Sequence, residues 1–558
     1  LSDNARQPMT VNGGALTISY NGEIYNHKEL RKEIGDIGWR SSSDTETLIQ
    51  SYSKWKLDFF SKLNGMWSFA LWDKKADTLI LSRDRFGIKP MYYTEYGGVL
   101  YFASEIKAFK ESPVPLKPNY KTVGNFLRRG VIEHSSDTWF ENVYSVPPGS
   151  YLKWHNGKIT IKKYYYLPDF IDEDNPLSIN DSIESATALI EDSIKMRTLS
   201  DRRIGVHFSG GIDSSVVAAK TAQHLSSKMD TYTYGYKEPE YSEIPFAEGV
   251  SNLLGVRNFN SIMTNSEMEN LLVKTLIEQD EPYTSIRICS EHKLYSDYKD
   301  HGATVILEAA GGDEVSAGYS GYVLPWYLDM VREHGPQVAI NNFSSISSKI
   351  SERSELITFL LGSAANYVTP GVCTSDGMPF LNPDFLSKNL AELSSLPEFD
   401  RPFKSSLRNS QYIDFNYIKL PRFLRYLDRA SMASSREARV PLLDHRFVEL
   451  GFSAANEAKI NKNHQRYFMK KVASDILPSS YMPNKRSIVD PQRDWMKNGQ
   501  LAEMTRDIFS SKSFSERGIY KHKRIQQEYE NYISSNKPMN SFGFFQLLMT
   551  ELWFQHVV

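Results

Sequence analysis

The sequence predicts two domains. The first is α+β, made of short strands with helices packed on them. The second is α/β, built on a parallel sheet and ending in a helical C-terminal part. Three observations carry this expectation. Short apolar runs separated by Asn-Gly and Gly-Gly pairs fill residues 1–165. An acidic stretch with no apolar period, Asp169 to Asp181, follows and reads as a linker. From Arg203 onward, strand-like runs alternate with helical spacing, as they do when crossovers join parallel strands. The expected boundaries are 1–165 for the first domain, 166–200 for a linker and a helix, and 201–558 for the second domain.

Composition narrows the function classes. With 65 basic and 67 acidic residues the formal charge is −2, so no basic surface argues for nucleic acid. The two cysteines, Cys289 and Cys373, lie far apart, which excludes a disulfide framework and points to a reducing cytoplasm. No CxxC or HExxH spacing suggests zinc. The run Leu356 to Leu361 is too short to span a membrane, and no signal peptide is visible. The chain opens on Leu1 and reads from there like the interior of a domain, so a fragment or a processed form is expected.

In the first domain, Ala15 to Tyr20 is a strand candidate ending at Asn21-Gly22. Met66–Trp72 and Thr78–Arg83 are two more, joined through Asp73-Lys74-Lys75, and Val99–Ala103 follows a Gly97-Gly98 hairpin turn. Helical stretches lie around 27–35 and 44–56. Taken alone, Asn21-Gly22 is a turn and Arg83-Asp84-Arg85 a turn held by surface charge pairs.

Taken together and in order, five segments say more: Asn21 to Asn26, Ser43 to Glu46, Asn64 to Ala70, Arg83 to Pro90 and Ala103 to Lys107. They resemble the glutaminase domain of class II glutamine amidotransferases and, more narrowly, glutamine-hydrolysing asparagine synthetases. The resemblance implies an N-terminal-nucleophile sandwich in which Asn21 and Gly22 form an oxyanion hole, Asp44 binds the α-amine of glutamine and Glu23 lines the same pocket. The family's nucleophile is an N-terminal cysteine, which this sequence does not show. The expectation is therefore a truncated sandwich that, as given, does not hydrolyse glutamine: either upstream sequence was lost or free ammonia is used.

In the junction, Ile183, Ala186, Leu189, Ile190, Ile194 and Met196 recur at helical spacing and lead to the second domain. There Ile204, Val206 and Phe208 alternate as a strand. Gly210 and Gly211 allow a tight turn and close approach of a ligand to the backbone. Asp213, Ser214 and Ser215 open a helix whose N–H groups favour an anion, and Ser209 adds a hydroxyl. This reads as a pocket for a phosphate chain. It lacks the Gly-Lys-Ser/Thr end of a Walker A loop and resembles instead the pyrophosphate loop of ATP pyrophosphatases. Thr231 to Gly235, with Tyr234 near its end, and Thr304 to Leu307 are further strands, the latter leading into Gly311-Gly312-Asp313-Glu314. Both motifs sit at carboxyl ends of parallel strands, so they can meet. Two carboxylates beside a polyphosphate call for a divalent cation, and Asp213 and Asp313 are the magnesium candidates, with Glu314 beside them.

The asparagine synthetase resemblance continues through Asp280-Glu281-Pro282, Leu420 to Asp444 and Phe542 to Trp553. In that run Asp428, Arg429, Glu437 and Arg439 read as a buried ion network holding a helix. The resemblance implies ATP-dependent adenylation of the side-chain carboxylate of aspartate, release of pyrophosphate and amidation by ammonia. It nominates Lys485, with Arg486 behind it, over the leaving pyrophosphate, and Arg287 facing substrate or pyrophosphate. One departure stands at Ala309-Ala310, where the family carries a glycine and then a glutamate or glutamine. That departure keeps another acid, such as a sugar acid, open as the substrate, and a degraded non-catalytic copy is the third alternative. ATP, Mg2+, a carboxylate and glutamine or ammonia are the expected partners, with neither nucleic acid nor membrane, and a homodimer is left open.

Overall fold

The computed structural model describes residues 3–226, 229–299, 301–338, 378–394, 398–461, 464–478, 490–535 and 541–558. Lys485, Arg486, Cys373 and the apolar run 356–361 lie outside the described residues. Among the described residues no helix is long and apolar enough to cross a membrane.

Residues 3–165 hold two antiparallel sheets. The larger runs in the order β1-β2-β3-β4-β8-β9: β1 (Met9–Val11), β2 (Leu16–Ile24), β3 (Gly65–Asp73), β4 (Thr78–Arg83), β8 (Ser150–His155) and β9 (Lys158–Lys163). The smaller runs β6-β5-β7, with β5 (Tyr92–Tyr96), β6 (Val99–Ala103) and β7 (Tyr144–Ser145). The helices α1 (His27–Ile34) and α2 (Asp44–Trp55) follow β2, and α3 (Tyr120–Arg129) follows β6. The Gly97-Gly98 turn between β5 and β6 has both residues at positive φ, 60° and 77°, as a two-residue hairpin with right-handed twist requires.

Two expectations are corrected here. Asn21-Gly22 is not a turn: β2 continues to Ile24, and Gly22 pairs with Trp67 of β3. Nor is Arg83-Asp84-Arg85 held by surface charge pairs. The Arg83 guanidinium is buried and donates to the carbonyls of Lys89, Gly87 and Val146, while the Asp84 carboxylate accepts the N–H groups of Phe86, Ile88 and Lys89. Side-chain bonds to backbone, not ion pairs, shape that loop.

The helix α4 (Ile179–Arg197) begins inside the stretch read as linker, because Ser178 caps it by accepting from the N–H of Asp181. The acidic segment before it is tied down: Glu173 pairs with Arg408 at 3.0 Å and accepts from the N–H of Lys404 at 2.7 Å.

The second domain is organised on a five-stranded, wholly parallel sheet. In chain order come β10 (Ile204–His207), α5 (Ile212–His224), β11 (Asp230–Tyr236), α6 (Ile244–Leu254), β12 (Arg257–Met263), α7 (Met268–Gln279), α8 (Arg287–Asp297), β13 (Val305–Leu307), α9 (Gly312–Ser316) and β14 (Glu437–Arg439). In space the order is β12-β11-β10-β13-β14, so the sheet grows outward in both directions from β10. Helices pack around it, and the last one, Phe542–His556, lies against α7 and α3.

One apolar core crosses between the two domains, while the larger sheet of the first domain also keeps a separate cluster of its own. A single apolar cluster runs from Tyr25 and Met66 through Phe208 and Leu307 to Trp553. Phe86 meets Phe415 edge-on at 5.2 Å, and Trp139 meets Trp553 at 4.9 Å. The predicted ion network lies on this seam and does more than hold a helix. Asp428 pairs with Lys89 at 3.0 Å, Arg429 with Glu105 at 3.2 Å and Asp280 at 3.3 Å, and Arg439 with Glu23 at 3.1 Å. Asp444 joins them, accepting from Asn64 and pairing with Arg197. Burial alone would raise its pKa, but Arg197 and Arg446 hold the carboxyl far below the usual range.

Candidate active site

Strand order reverses between β10 and β13, and in open parallel sheets ligands bind at such a switch point, outside the carboxyl ends. Two glycine loops leave the sheet there. The first follows β10. Phe208 is fixed by a bond from its N–H to Tyr232 O and by Thr233 Oγ1 donating to its carbonyl. Gly210 sits at φ +70°, and a Cβ there would stand 2.8 Å from the backbone nitrogen of Ala247, so the start of α6 leaves no room for a side chain. Gly211 caps α5, accepting the N–H of Ser215. The Ser209 hydroxyl lies 3.1 Å from that of Ser214 and accepts from the N–H of Gly211, so the hydroxyls hold the loop's shape. Ser214 and Ser215 are buried in the first turn.

The second loop follows β13. Gly311 has φ +87°, and a Cβ on it would stand 2.3 Å from Leu443. At Gly312 a Cβ would lie 2.6 Å from Cγ of Asp213, so this glycine lets the two loops touch. A hundred residues apart in sequence, Asp213 and Asp313 meet on one side chain. Arg466 places NH1 3.0 Å from Asp213 and Nε 3.0 Å from Asp313. Burial opposes the charge on Arg466, but the two carboxylates outweigh it and raise its pKa. Nothing in the motifs pointed to Arg466; its signal is a long-range pairing that only the fold displays.

Glu314 turns elsewhere. It is buried, accepts from the Tyr319 hydroxyl at 2.8 Å, and is pushed up to about 7 by burial and then by the charge of Asp313. Its place is in the packing under the loop.

Tyr234, near the carboxyl end of β11, is buried beside Arg287, the first residue of α8, whose guanidinium lies 5.9 Å from the ring centre. Arg287 also approaches Glu291 at 3.5 Å and is half-exposed. The chain that follows Lys485 docks nearby: Ser285 donates to Asp490, and the Gln492 side chain accepts from the N–H of Ile286 at 3.1 Å.

The candidate residues of the first domain gather at the end of β2. Gly22 has φ +151°, and a Cβ on it would stand 2.1 Å from the carbonyl oxygen of Met66, so only glycine fits. Asn21 donates to Ser104 at 3.4 Å. Asp44, in the first turn of α2, accepts from the Tyr20 hydroxyl at 2.9 Å and from the N–H of Ile24 at 3.0 Å. Burial raises its pKa against those bonds. Glu23 is pushed up to about 8, first by burial, then by Asp44, with Arg439 pulling the other way. The residues form one patch, with a counter-charge supplied by the second domain.

Two carboxylates facing each other across a loop junction are not a complete metal cage. Among the described residues the three-ligand cluster that could hold a metal by itself is elsewhere, at Glu333, His334 and Glu457, two of them exposed. A two-carboxylate site suits a cation that keeps waters and phosphate oxygens as its other ligands.

Comparison with known proteins gives the following. The family model for asparagine synthase matches residues 185–555, and that for a glutamine amidotransferase domain matches residues 1–165. Asparagine synthetase [glutamine-hydrolyzing] 1 of Bacillus subtilis is 26% identical over 563 residues, covering 99% of this chain and 87% of its own length. A putative asparagine synthetase [glutamine-hydrolyzing] 2 of Methanocaldococcus jannaschii is 31% identical over 354 residues, covering 60% of this chain and 67% of that protein. The amidase chyE of Penicillium rubens is 25% identical over 590 residues, covering 97% and 86%.

Proposed function

The chain belongs to the asparagine synthase family and is an ATP-dependent amide-forming ligase, and on that premise we propose that its acid substrate is aspartate and that the reaction runs at the β10–β13 switch point. The observation that carries the proposal is the convergence of Asp213 and Asp313 on Arg466 at 3.0 Å each, between two glycine loops.

Each group then has a task. The N–H groups of the Gly210-Gly211 turn and the start of α5, with the hydroxyl of Ser209, bind the triphosphate. Ser214 braces the Ser209 hydroxyl. Asp213 and Asp313 offer hard oxygen donors from facing loops and would hold Mg2+, which when bound supplies positive charge against the phosphates. Arg466 pairs with both carboxylates and offsets one of their two charges, leaving net negative charge for a cation to meet. The aspartate carboxylate attacks the α-phosphorus, pyrophosphate leaves with the bonding electron pair, and Arg287 and Lys485 are the cations nominated to stabilise that departure. Ammonia then attacks the acyl carbon and AMP leaves. In the first domain Asn21 and Gly22 supply the oxyanion donors, Asp44 binds the α-ammonium of glutamine and Glu23 lines the same pocket. A cytoplasmic setting fits an ATP-consuming ligase with two widely spaced cysteines.

One observation favours a second reading. Ala310 is buried and its side chain has no polar atom, so the position where the family carries a glutamate or glutamine has no polar group here, and a carboxylate other than aspartate is the alternative substrate. Exchange of labelled pyrophosphate into ATP decides between them. Exchange with aspartate supports the first reading, exchange only with another acid the second, and none with any acid overturns both. Amide yield with glutamine against ammonium chloride then identifies the nitrogen source.

A further inference from the structure

The reading above leaves unused a group of side chains at the same strand ends. His207 is the last residue of β10, and Glu308 follows the last residue of β13. Val206 is in register with Leu307, so His207 and Glu308 stand side by side at the switch point. Their side chains are joined: Nδ1 of His207 lies 2.9 Å and 2.8 Å from the two carboxylate oxygens of Glu308. Tyr295 of α8 donates its hydroxyl to Glu308 Oε1 at 2.5 Å, and the backbone N–H of Glu308 donates to Arg439 O at 2.8 Å. Glu308 is 4% exposed and Tyr295 3%, so the carboxylate is fixed and dry. The imidazole is partly open, with its side chain 13% exposed.

This arrangement fixes a tautomer. With Nδ1–H donated to Glu308, Nε2 carries the lone pair. Burial disfavours the imidazolium, but Glu308 outweighs burial and the pKa of His207 ends above its ordinary value. The other charged and titratable groups around it are Glu291 and Arg287 of α8, with the ring of Tyr234 at 5.6 Å. The location matters as much as the chemistry. His207 is two residues from Ser209, so its backbone is within about 7 Å of the phosphate loop. The neighbouring Ala310 offers no acceptor. An amide-forming step needs one: ammonia that adds to an acyl carbon must shed a proton as AMP departs.

We propose that His207, oriented by Glu308 and Tyr295, accepts the proton of the nitrogen nucleophile during amide formation. The proposal rests on the adenylation reading. In the step, the nitrogen lone pair forms the C–N bond, the C–O bond to AMP breaks with its electrons going to the phosphate oxygen, and one N–H proton passes to Nε2 of His207. Glu308 and Tyr295 are positioning residues; His207 is the catalytic one.

The test separates the half-reactions. Pyrophosphate exchange reports adenylation, and amide formation from ammonium chloride reports the second step, with whichever acid in a panel gives the strongest exchange. We expect His207→Gln to lower amide formation about 10²-fold more than it lowers exchange. Expressed per free ammonia, wild-type amidation should rise with pH as the imidazolium loses its proton. Glu308→Gln removes the charge that favours imidazolium, so that acid limb should move to lower pH, and in His207→Gln it should vanish. Exchange in each variant shows that the fold survives. Equal losses in both half-reactions, or an unmoved acid limb, overturn the role of His207 and leave adenylation standing. No exchange by the wild-type protein with any acid overturns the adenylation reading and this inference with it.

Discussion

The two candidate sites of this chain are built in opposite ways. At the β10–β13 switch point the parts come from one domain: two glycine loops, two aspartates and Arg466, which pairs with both carboxylates. At the end of β2 the first domain collects Glu23 and Asp44, and among the described residues no cation of the same domain pairs with Glu23. Arg439, from the β14 edge of the other sheet, fills that need at 3.1 Å. The difference teaches where coupling can arise. The described charges of the switch-point site come from one domain, whereas the charge state at the end of β2 depends on a residue of the other. Arg439 also accepts, through its carbonyl, the backbone N–H of Glu308, so one residue touches both sites.

The largest effect should come from breaking the self-contained site. Asp313→Ala and Asp213→Ala each remove one of its two carboxylates and leave Arg466 biased toward the other. Pyrophosphate exchange should fall by about 10²- to 10³-fold in either variant. Thermal unfolding should move little, because both aspartates sit at loop ends and neither belongs to the apolar core. A loss of fold matching the loss of exchange would assign them to structure and erase the contrast between the sites.

How far this could be read without coordinates follows the same division. The phosphate loop was legible because strand, glycine pair and helix start are consecutive and each has its own local signal. Of the antiparallel hairpins of the first domain, β3–β4 and β5–β6 were legible for the same reason, while β1 and the β8–β9 hairpin were not singled out. β12 escaped, since Arg257–Met263 is an edge strand with mixed exposure and no clean alternation. β14 escaped because its three residues lie in a run read as an ion network, and only pairing with β13 makes them a strand. Asn21-Gly22 carries the signal of a turn, but tertiary pairing with β3 overrides it. Arg466 is 253 residues from Asp213, with no motif between them. Lys485, nominated from the resemblance, falls outside the described residues.

The next effect in size tests the strand that carries the glutamine-side patch. Gly22→Ala would put a methyl group 2.1 Å from the Met66 carbonyl oxygen at φ +151°. Neither backbone can retreat without breaking the β2–β3 ladder. The variant should lose about 3 kcal/mol, read as a lowered urea midpoint, with first-domain signals melting first. Smaller is the seam itself. Arg439→Met keeps the apolar stem and deletes the charge, leaving Glu23 and Glu437 without their partner. Because both carboxylates are partly exposed, the cost should be about 1 to 2 kcal/mol. An unchanged midpoint would mean that the second domain contributes no counter-charge of consequence.

The last test reads a slope rather than a midpoint, and it sharpens the comparison most. Glu23 is pushed up to about 8 in the folded protein, chiefly by burial and then by Asp44, whereas an unfolded glutamate keeps its ordinary value of 4.5. Between those values the folded state holds a proton that the unfolded state has already released, so stability must fall as pH rises across that window and level off above it. Glu23→Gln cannot ionise, and its urea midpoint should therefore decline less than that of the wild type between pH 5 and 8, with the two curves converging at the acid end. Arg439→Met should do the reverse. Without the guanidinium the Glu23 carboxyl is pushed still higher, so the decline should extend to higher pH than in the wild type. Parallel curves for all three proteins would show that Glu23 is ionised and solvated throughout, and the glutamine-side site would then be as self-contained as its counterpart.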